Sequence, residues 1–521
     1  MSLLGQSSIP EPVRPIIKAA PLLIILLALA SYFPAVNNYF TWDDFLWLQR
    51  AATLWQHPSQ MLDVDVIYFD PLVYISFWLN YLLSPFGYYW FHLADIALHA
   101  SNGILVWLLV KRLTSDRQAA LASSLLFTVS FATVDAVVWS SSRVDLISVF
   151  FSLLCLIGYL SYLADRAKLS LALSVIAYTL ALAAKGTPVV LPLVLVFLLL
   201  QHNSGRQLWK SLIPFMLVTA AYLSALAIKL AAGGKGLAPG GATMPNLSNF
   251  AMALSGLFVP ERLVAQATMA SLITSLFLLT LIVCFKGDAP LKHARLCGLV
   301  VLLAGLLPVV ALKEFKLATT ITDAGYLLSS PSHRIYLASI GMAILYGTFF
   351  GELWRRVKWQ SAGYALFALL VIWNIAEVRS REKLWAGSAS YIRASVEGLA
   401  KFKGTIRDDS VVGLVNFPMS RGFMRPVMFL YCGVSNVLLL PMDHIPEAVL
   451  DAPEILRYQN RGHFFIYSNQ VHDYSPQFNR LLGAAFRHQL AQNRITLQES
   501  LTEYLSARQE INNAISENLP R

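Results

Sequence analysis

The feature that most constrains this chain is a series of unbroken apolar runs, each about 17–25 residues long. At about 1.5 Å of rise per residue, such a run crosses the roughly 30 Å hydrocarbon core of a bilayer as a helix. Lipid offers no hydrogen bonds, so every backbone group has to be satisfied within a helix or a closed barrel. The runs are continuous rather than alternating, which selects helices. Composition agrees: of 521 residues, 56% are hydrophobic and 13% charged, against roughly 25% charged in soluble globular chains. Mean hydropathy is +0.56. The chain therefore reads as a polytopic α-helical membrane protein.

About eleven spans are expected, near 17–36, 88–110, 117–137, 144–163, 168–184, 187–201, 211–232, 265–285, 295–312, 334–352 and 360–378. Segment 71–84 is apolar but short, which suits a helix lying at the interface. Span 187–201 is also short and suits a position partly buried in protein. Arg14 and Lys18 precede the first apolar stretch, as in a signal peptide, but SYFPAVNNYFTWDD offers no small-residue cleavage site, so an uncleaved first span is expected.

Basic residues set the orientation. Arg14/Lys18, Lys111/Arg112/Arg117, Arg166/Lys168, Arg206/Lys210, Lys286/Lys292/Arg295 and Arg355/Arg356/Lys358 fall in every second connection. By the positive-inside rule these connections are cytoplasmic. The first loop, with Asp43, Asp44, Asp63, Asp65 and Asp70, is then extracytoplasmic, and so is everything after the last span. The net charge of +10 is accounted for by loops facing anionic lipid, not by nucleic-acid binding. Cys155, Cys284, Cys297 and Cys432 are scattered, with no zinc spacing and no disulfide framework.

From about residue 380 the composition changes. Ser388–Lys403 reads as an amphipathic helix, SVVGLVNF, VLLLP and HFFIYS read as short strands, and 482–516 reads as polar helix. The expected organisation is a transmembrane domain, 1–380, with an extracytoplasmic loop at 37–87, followed by a small soluble α/β or α+β domain, 381–521.

Ionisable groups in or beside membrane spans are costly, so each needs a reason. Trp42-Asp43-Asp44 follows the first span. Two adjacent carboxylates there suit a general base, a metal ligand or both, while an interfacial Trp anchor with solvated aspartates is the structural alternative. His92, Asp95, His99 and Asn102 share one helical face through spacings of three and four; helix-packing hydrogen bonds are their commoner use, metal ligation the rarer one. Asp135, Trp139, Arg143 and Asp145 lie at the outer ends of the third and fourth spans, as a loop salt bridge or as a cation held by carboxylates to receive an anion. Lys185 and Arg334 lie at the outer surface, as snorkelling anchors or as phosphate ligands. All these groups fall on the same side of the membrane, a convergence that points to a site.

The ordered segments NNYFTWDDF, DPLVYISFWLNYLLSPFGYYWFHLADIALHASN, FTVSFATVDAVVWSSSRVDLI, LALAAKGTPVVLPL and SPSHRIYLASIG cover roughly residues 37–345. Together they resemble the GT-C class of membrane glycosyltransferases, in its protein O-mannosyltransferase-like (family 39-like) branch. The resemblance implies an inverting enzyme that moves a sugar, mannose first, from a polyprenyl-phosphate donor to an extracytoplasmic hydroxyl on protein, glycan or lipid. It implies Asp43 or Asp44 as catalytic base, and Arg143, Lys185 and Arg334 as donor-phosphate ligands. His92, Asp95, His99, Asp135 and Asp145 would support them. If a divalent metal takes part, oxygen ligands suit Mg or Mn, with Asp43 or Asp44 as ligand. The pattern differs at Asp70, where the family has Arg, at Ser130-Phe131, where it has His-Pro, and at Gly186, where it commonly has an acidic residue. The absence of tetratricopeptide repeats and the short cytoplasmic loops favour a bacterial inner membrane over the endoplasmic reticulum. A transporter or flippase of lipid-linked saccharide, or an inactive scaffold, are the competing classes.

Overall fold

The computed structural model describes residues 19–61, 70–202, 206–231, 247–260, 280, 288–310, 312, 320–321, 327–329, 331–356, 360–441, 461–468, 470–491 and 497–518. The chain divides into two compact units: residues 1–38 with 54–386, and residues 39–53 with 387–521.

The first unit is helical. It contains α1 (Ala20–Tyr32), while α2 (Asp43–Thr53) belongs to the second unit. Next come α3 (Pro71–Leu83), α4 (Tyr88–Thr114), α5 (Arg117–Thr128), α6 (Arg143–Asp165), α7 (Lys168–Leu182), α8 (Leu191–Gln201), α9 (Ile213–Ala231) and α10 (Leu247–Phe258). Then follow α11 (Ala289–Val310), a hairpin of β1 (Thr320–Ile321) with β2 (Leu327–Ser329), α12 (Tyr336–Arg355) and α13 (Gln360–Ala400), whose residues from 387 onward are counted in the second unit.

Among the described residues seven helical segments are long and apolar enough to cross a membrane, or eight if α5 and Phe131–Val138 are one span bent by 53°. The chain is thus an integral, multi-pass membrane protein. The stretches expected at 168–184 and 187–201 are apolar helices too short for that test. Lys185 stands between them, where the chain turns. The span expected at 265–285 lies outside the described residues apart from Thr280. The last span's helix does not stop near 378: α13 runs for 41 residues and absorbs most of the helix expected at 388–403. Its polar residues from Arg379 onward end the apolar run without ending the helix.

Small residues bring the helices together. Gly347 and Gly351 of α12 lie against Ser123 and Ala119 of α5, and a side chain at either glycine would overlap the facing backbone. Without a hydrophobic force between helices in lipid, such close approach supplies the packing attraction.

One end of the unit gathers the basic connections. Arg355 Nε lies 3.4 Å from Asp116, and its Nη1 lies 3.7 Å from Asp288. Gln201 Nε2 donates to the His293 carbonyl at 3.1 Å. Connections that the charge pattern assigned to one side therefore meet in space.

The second unit is built on a four-stranded sheet, in the order β4 (Val437–Pro441), β3 (Ser410–Val415), β5 (Gly462–Ser468), β6 (Gln470–Asp473). β3 pairs in parallel with β4 and β5, and β6 returns antiparallel on β5. A parallel strand is covered on both faces and reads as a continuous apolar run, and β3 is buried throughout. Helices α15 (Ser475–Ala491) and α16 (Leu497–Asn518) share a core with the sheet through Val411, Val415, Phe464, Ile466, Phe478 and Leu482. Between β3 and β4, α14 (Arg421–Val427) packs on α2. The three expected strands are present and β6 was not anticipated; of the polar helix expected at 482–516, residues 492–496 lie outside the described residues.

Candidate functional site

In the helical unit the predicted charges sort into three groups. Arg143, at the start of α6, is fully buried. Its Nε donates to Asp95 Oδ1 at 2.5 Å, Nη1 to Asn80 Oδ1 at 2.6 Å and Ser76 Oγ at 3.1 Å, and Nη2 to the Phe91 carbonyl at 2.8 Å. The Phe77 and Phe91 ring centroids lie 4.7 and 5.5 Å from its guanidinium carbon. Asp95 also accepts from Ser140 Oγ at 2.8 Å. A buried ion pair is tolerated when its remaining donors and acceptors are satisfied, and here they are. The knot joins α3, α4 and α6, and its guanidinium is committed to them.

The histidines of α4 are hydrogen-bonded in the same interior. His92 Nε2 lies 3.0 Å from the Asn38 carbonyl. His99 Nε2 lies 3.0 Å from the Thr128 carbonyl and its Nδ1 lies 2.8 Å from Tyr336 Oη. A carbonyl only accepts, so Nε2 of His99 carries the proton and Nδ1 accepts from the tyrosine. Tyr336 in turn accepts from Asn102 Nδ2 at 3.1 Å. These groups fasten α4, α5, α6 and α12.

The second group is also buried apart from Arg334. Asp145 offers both oxygens to Lys185 Nζ, at 2.6 and 2.7 Å. Arg334, just before α12, acts electrostatically on Asp145. It is half-buried and makes no ion pair or hydrogen bond among the described residues. Leu72 N donates weakly to the Ala183 carbonyl at 3.5 Å, bringing the start of α3 to the end of α7.

The third group, around Asp135, involves residues the sequence reading missed. Arg381 Nε and Nη2 donate to the two Asp135 oxygens at 2.9 and 2.8 Å, and Trp385 Nε1 donates at 2.8 Å. Trp139 stacks on Trp385 with centroids 5.8 Å apart and meets His333 edge-on at 5.3 Å. Charges at 379–382, just past an apolar run, were the available signal. Asp135 is thereby a clamp on α13.

The positions where the sequence departs from the pattern it resembles are packed. At Gly186 the Tyr222 hydroxyl of α9 occupies the space a side chain would need. Ser130 Oγ accepts from Ala132 N at 3.3 Å, and Phe131 meets Trp373 at 5.6 Å. Asp70 is buried at the start of α3. Ser130, Phe131, Tyr346, Trp373 and Asn374 line a cavity of about 370 Å³ whose remaining walls are mostly apolar.

In the second unit the two aspartates separate. Trp42 has φ of 43°, in the left-handed region, which costs an ordinary residue about 1–2 kcal/mol. The turn this makes lets Asp44 fold back: its Oδ2 accepts from Thr41 N at 2.8 Å, while Asp44 N donates to the Thr41 carbonyl at 2.9 Å. Asp44 is buried within that turn. Asp43, half-buried at the first position of α2, has no hydrogen bond or ion pair among the described residues. Burial pushes its carboxyl up to about 6, and Arg50 partly offsets the rise. Around α2, Tyr39 Oη donates to Tyr431 Oη at 2.9 Å and Phe45 meets Tyr431 edge-on at 6.2 Å. Arg393 lies 5.9 Å from the Tyr39 ring. Among the described residues no group of three or more His, Cys, Asp or Glu is placed to hold a metal ion.

No family model matches the chain. Protein O-mannosyl-transferase Tmtc1 of Drosophila melanogaster is 35% identical over 122 residues, or 23% of this chain. The match spans 14% of that relative's length. Among solved structures, the crystal structure of ArnT from Cupriavidus metallidurans bound to undecaprenyl phosphate is similar, with a TM-score of 0.49 and 11% identity over 88% of this chain and 93% of that one. Over those 122 residues the chain is similar to a protein O-mannosyl-transferase, the branch that its motifs resemble.

Proposed function

We propose that this chain is an inverting glycosyltransferase that moves a sugar, mannose first, from a polyprenyl-phosphate donor to a hydroxyl acceptor outside the cytoplasm. The carrying observation is Asp43: a half-buried carboxylate with no hydrogen-bonding partner among the described residues, whose pKa of about 6 leaves it ionised yet basic near neutrality. A general base works best when its pKa lies close to the working pH. Asp44, tied to Thr41, holds the turn that presents it.

In this mechanism Asp43 takes the acceptor's proton as its oxygen attacks the anomeric carbon from the face opposite the phosphate. The bond from that carbon to the phosphate oxygen breaks, and its electron pair leaves with the phosphate. The first unit's candidates to offset the growing negative charge are Lys185 and Arg334. Arg143, with every guanidinium nitrogen committed, acts by fixing α3, α4 and α6 instead of binding phosphate. The similarity to Tmtc1 supports the sugar-transfer class, and the apolar cavity suits a polyprenyl tail lying against the helices. The acceptor, whether protein, glycan or lipid, would be received by the second unit on the outer face of a bacterial inner membrane. That orientation rests on the basic-loop alternation.

The test is transfer in proteoliposomes supplied with defined polyprenyl-phosphate sugars, mannosyl first. Asp43→Asn should abolish transfer while Asp44→Asn retains part of it. Equal rates for wild type and a folded Asp43→Asn protein would remove the base. Movement of intact lipid-linked sugar across the bilayer without transfer would replace the enzyme with a flippase.

A further inference from the structure

We propose that the outward face of α3 is a lipid-binding surface. Ile75, Leu79, Leu82 and Leu83 rest in the membrane interface beside the start of α4, and that contact holds in place the helix that carries Ser76 and Asn80 to Arg143. None of this depends on the transferase function proposed above.

The helix PLVYISFWLNYLL has 13 residues and no charged side chain. At 1.5 Å per residue it extends about 20 Å, short of the roughly 30 Å hydrocarbon core, so it does not span. Packing divides its two faces. Val73, Tyr74, Phe77 and Asn80 are buried. Asn80 Oδ1 and Ser76 Oγ accept from Arg143 Nη1 at 2.6 and 3.1 Å. Ile75, Leu79, Leu82 and Leu83 follow spacings of three and four on the other face and are exposed, Leu83 by 73%. A patch of large aliphatic side chains with no charge among them needs a partner.

Continuity along the chain identifies that partner as lipid. Residues 84–87 join α3 to α4, a helix long and apolar enough to cross the membrane. Phe86 in the link, and Tyr89 and Trp90 in the first turn of α4, are exposed too. Aromatic side chains collect where a span leaves the hydrocarbon, with their rings at the headgroup level. Trp78, half-buried, borders the exposed face of α3. Trp55, 81% exposed, stacks on it with centroids 6.0 Å and planes 6° apart. The exposed side chains on the apolar part of α13, Leu366, Leu369 and Ile372, are of the same aliphatic kind. The face of α3 thus extends the lipid-facing surface of the spans into the interface. All of these residues belong to the first unit.

The test uses the full-length protein in nanodiscs, with a nitroxide label on Leu79→Cys, Leu82→Cys or Leu83→Cys. Wild type treated identically corrects for the native thiols. Leu369→Cys and Lys401→Cys, both exposed, serve as the lipid and water references. At all three α3 positions, collision with oxygen, which partitions into lipid, should exceed collision with a water-soluble nickel chelate several-fold, as at Leu369. Nickel collisions at the level of Lys401 would overturn the proposal. Shielding from both reagents, or broadening between labels, would overturn it as well, by placing protein or a second copy on the face. Leu82→Asp with Leu83→Asp should lower Tm in nanodiscs by several degrees, because a carboxylate in lipid is costly. On a water-facing helix the same change is nearly neutral, so an unchanged Tm would remove the lipid contact. Ser76 and Asn80 ride on the same helix, so this loss should be less than additive with that of Arg143→Met. Fully additive losses would overturn the link to Arg143.

Discussion

Asp95 and Asp43 are two carboxylates held in opposite ways. Asp95 is fully buried among the helices, where Arg143 and Ser140 satisfy its oxygens and the arginine's other nitrogens are taken by Asn80, Ser76 and Phe91. Asp43 sits half-buried at the start of a short helix with no hydrogen bond or ion pair among the described residues, influenced electrostatically by Arg50. The first arrangement fixes shape, because a charge whose bonds are all made cannot change them without loss. The second leaves a proton site free to be used. Burial by itself does not distinguish architecture from chemistry here; the number of bonds already made does.

That contrast can be broken at four points. The largest effect is expected from Asp43→Asn: transfer should fall about 10²–10⁴-fold, the usual worth of a general base, while thermal unfolding at pH 7.5 shifts upward. The sign follows from the raised pKa: the folded state favours the protonated form, so this group's stabilisation is complete at low pH and is lost as pH rises through about 6. Removing the charge removes that loss. A lower melting temperature for Asp43→Asn would show that the carboxylate is structural after all.

Next is Arg143→Met, which strands Asp95 in the interior and should cost about 3–5 kcal/mol, read as lost yield and a lower Tm. Pairing it with Asp95→Leu should restore most of that loss. Failure of the double variant to recover would mean that the bonds to Asn80, Ser76 and Phe91 matter more than the ion pair.

Third, the pH profile of transfer should fall about tenfold per unit below pH 6, since only ionised Asp43 is a base. A flat profile between pH 5 and 7 would remove Asp43 from the reaction. The smallest effect belongs to Asp44→Ala, which opens the turn at Thr41 and should cost about 1 kcal/mol, as for other local side-chain caps, measured by thermal unfolding.

Much of this was legible in the sequence, and what was not has identifiable causes. The spans follow from apolar runs because lipid demands them, and the basic connections marked which ends share a side; Arg355, Asp116 and Asp288 meet accordingly. The strands at 410, 437 and 463 were visible as short apolar runs between turns. The length of α13 was hidden, because hydropathy reports the membrane rather than the helix, and helix-forming residues continue past Arg379. The partners of Asp135 and Arg143 were hidden as well: Arg381 is 246 residues away from Asp135, and Asn80 lies 63 away from Arg143. Asp43 and Asp44 could not be ranked from spacing, because their difference depends on one unusual backbone angle at Trp42.

The hydroxyl of Tyr222 standing in the space beside Gly186 carries a consequence for how these two positions can be substituted. Residues 186 and 222 are coupled: an acidic side chain at 186 would meet the tyrosine hydroxyl, so the tyrosine has to move or position 222 has to shrink. Gly186→Glu alone should therefore be harmful, and Gly186→Glu with Tyr222→Ala tolerated. The two positions thus form a coupled pair, linked through a single phenolic oxygen.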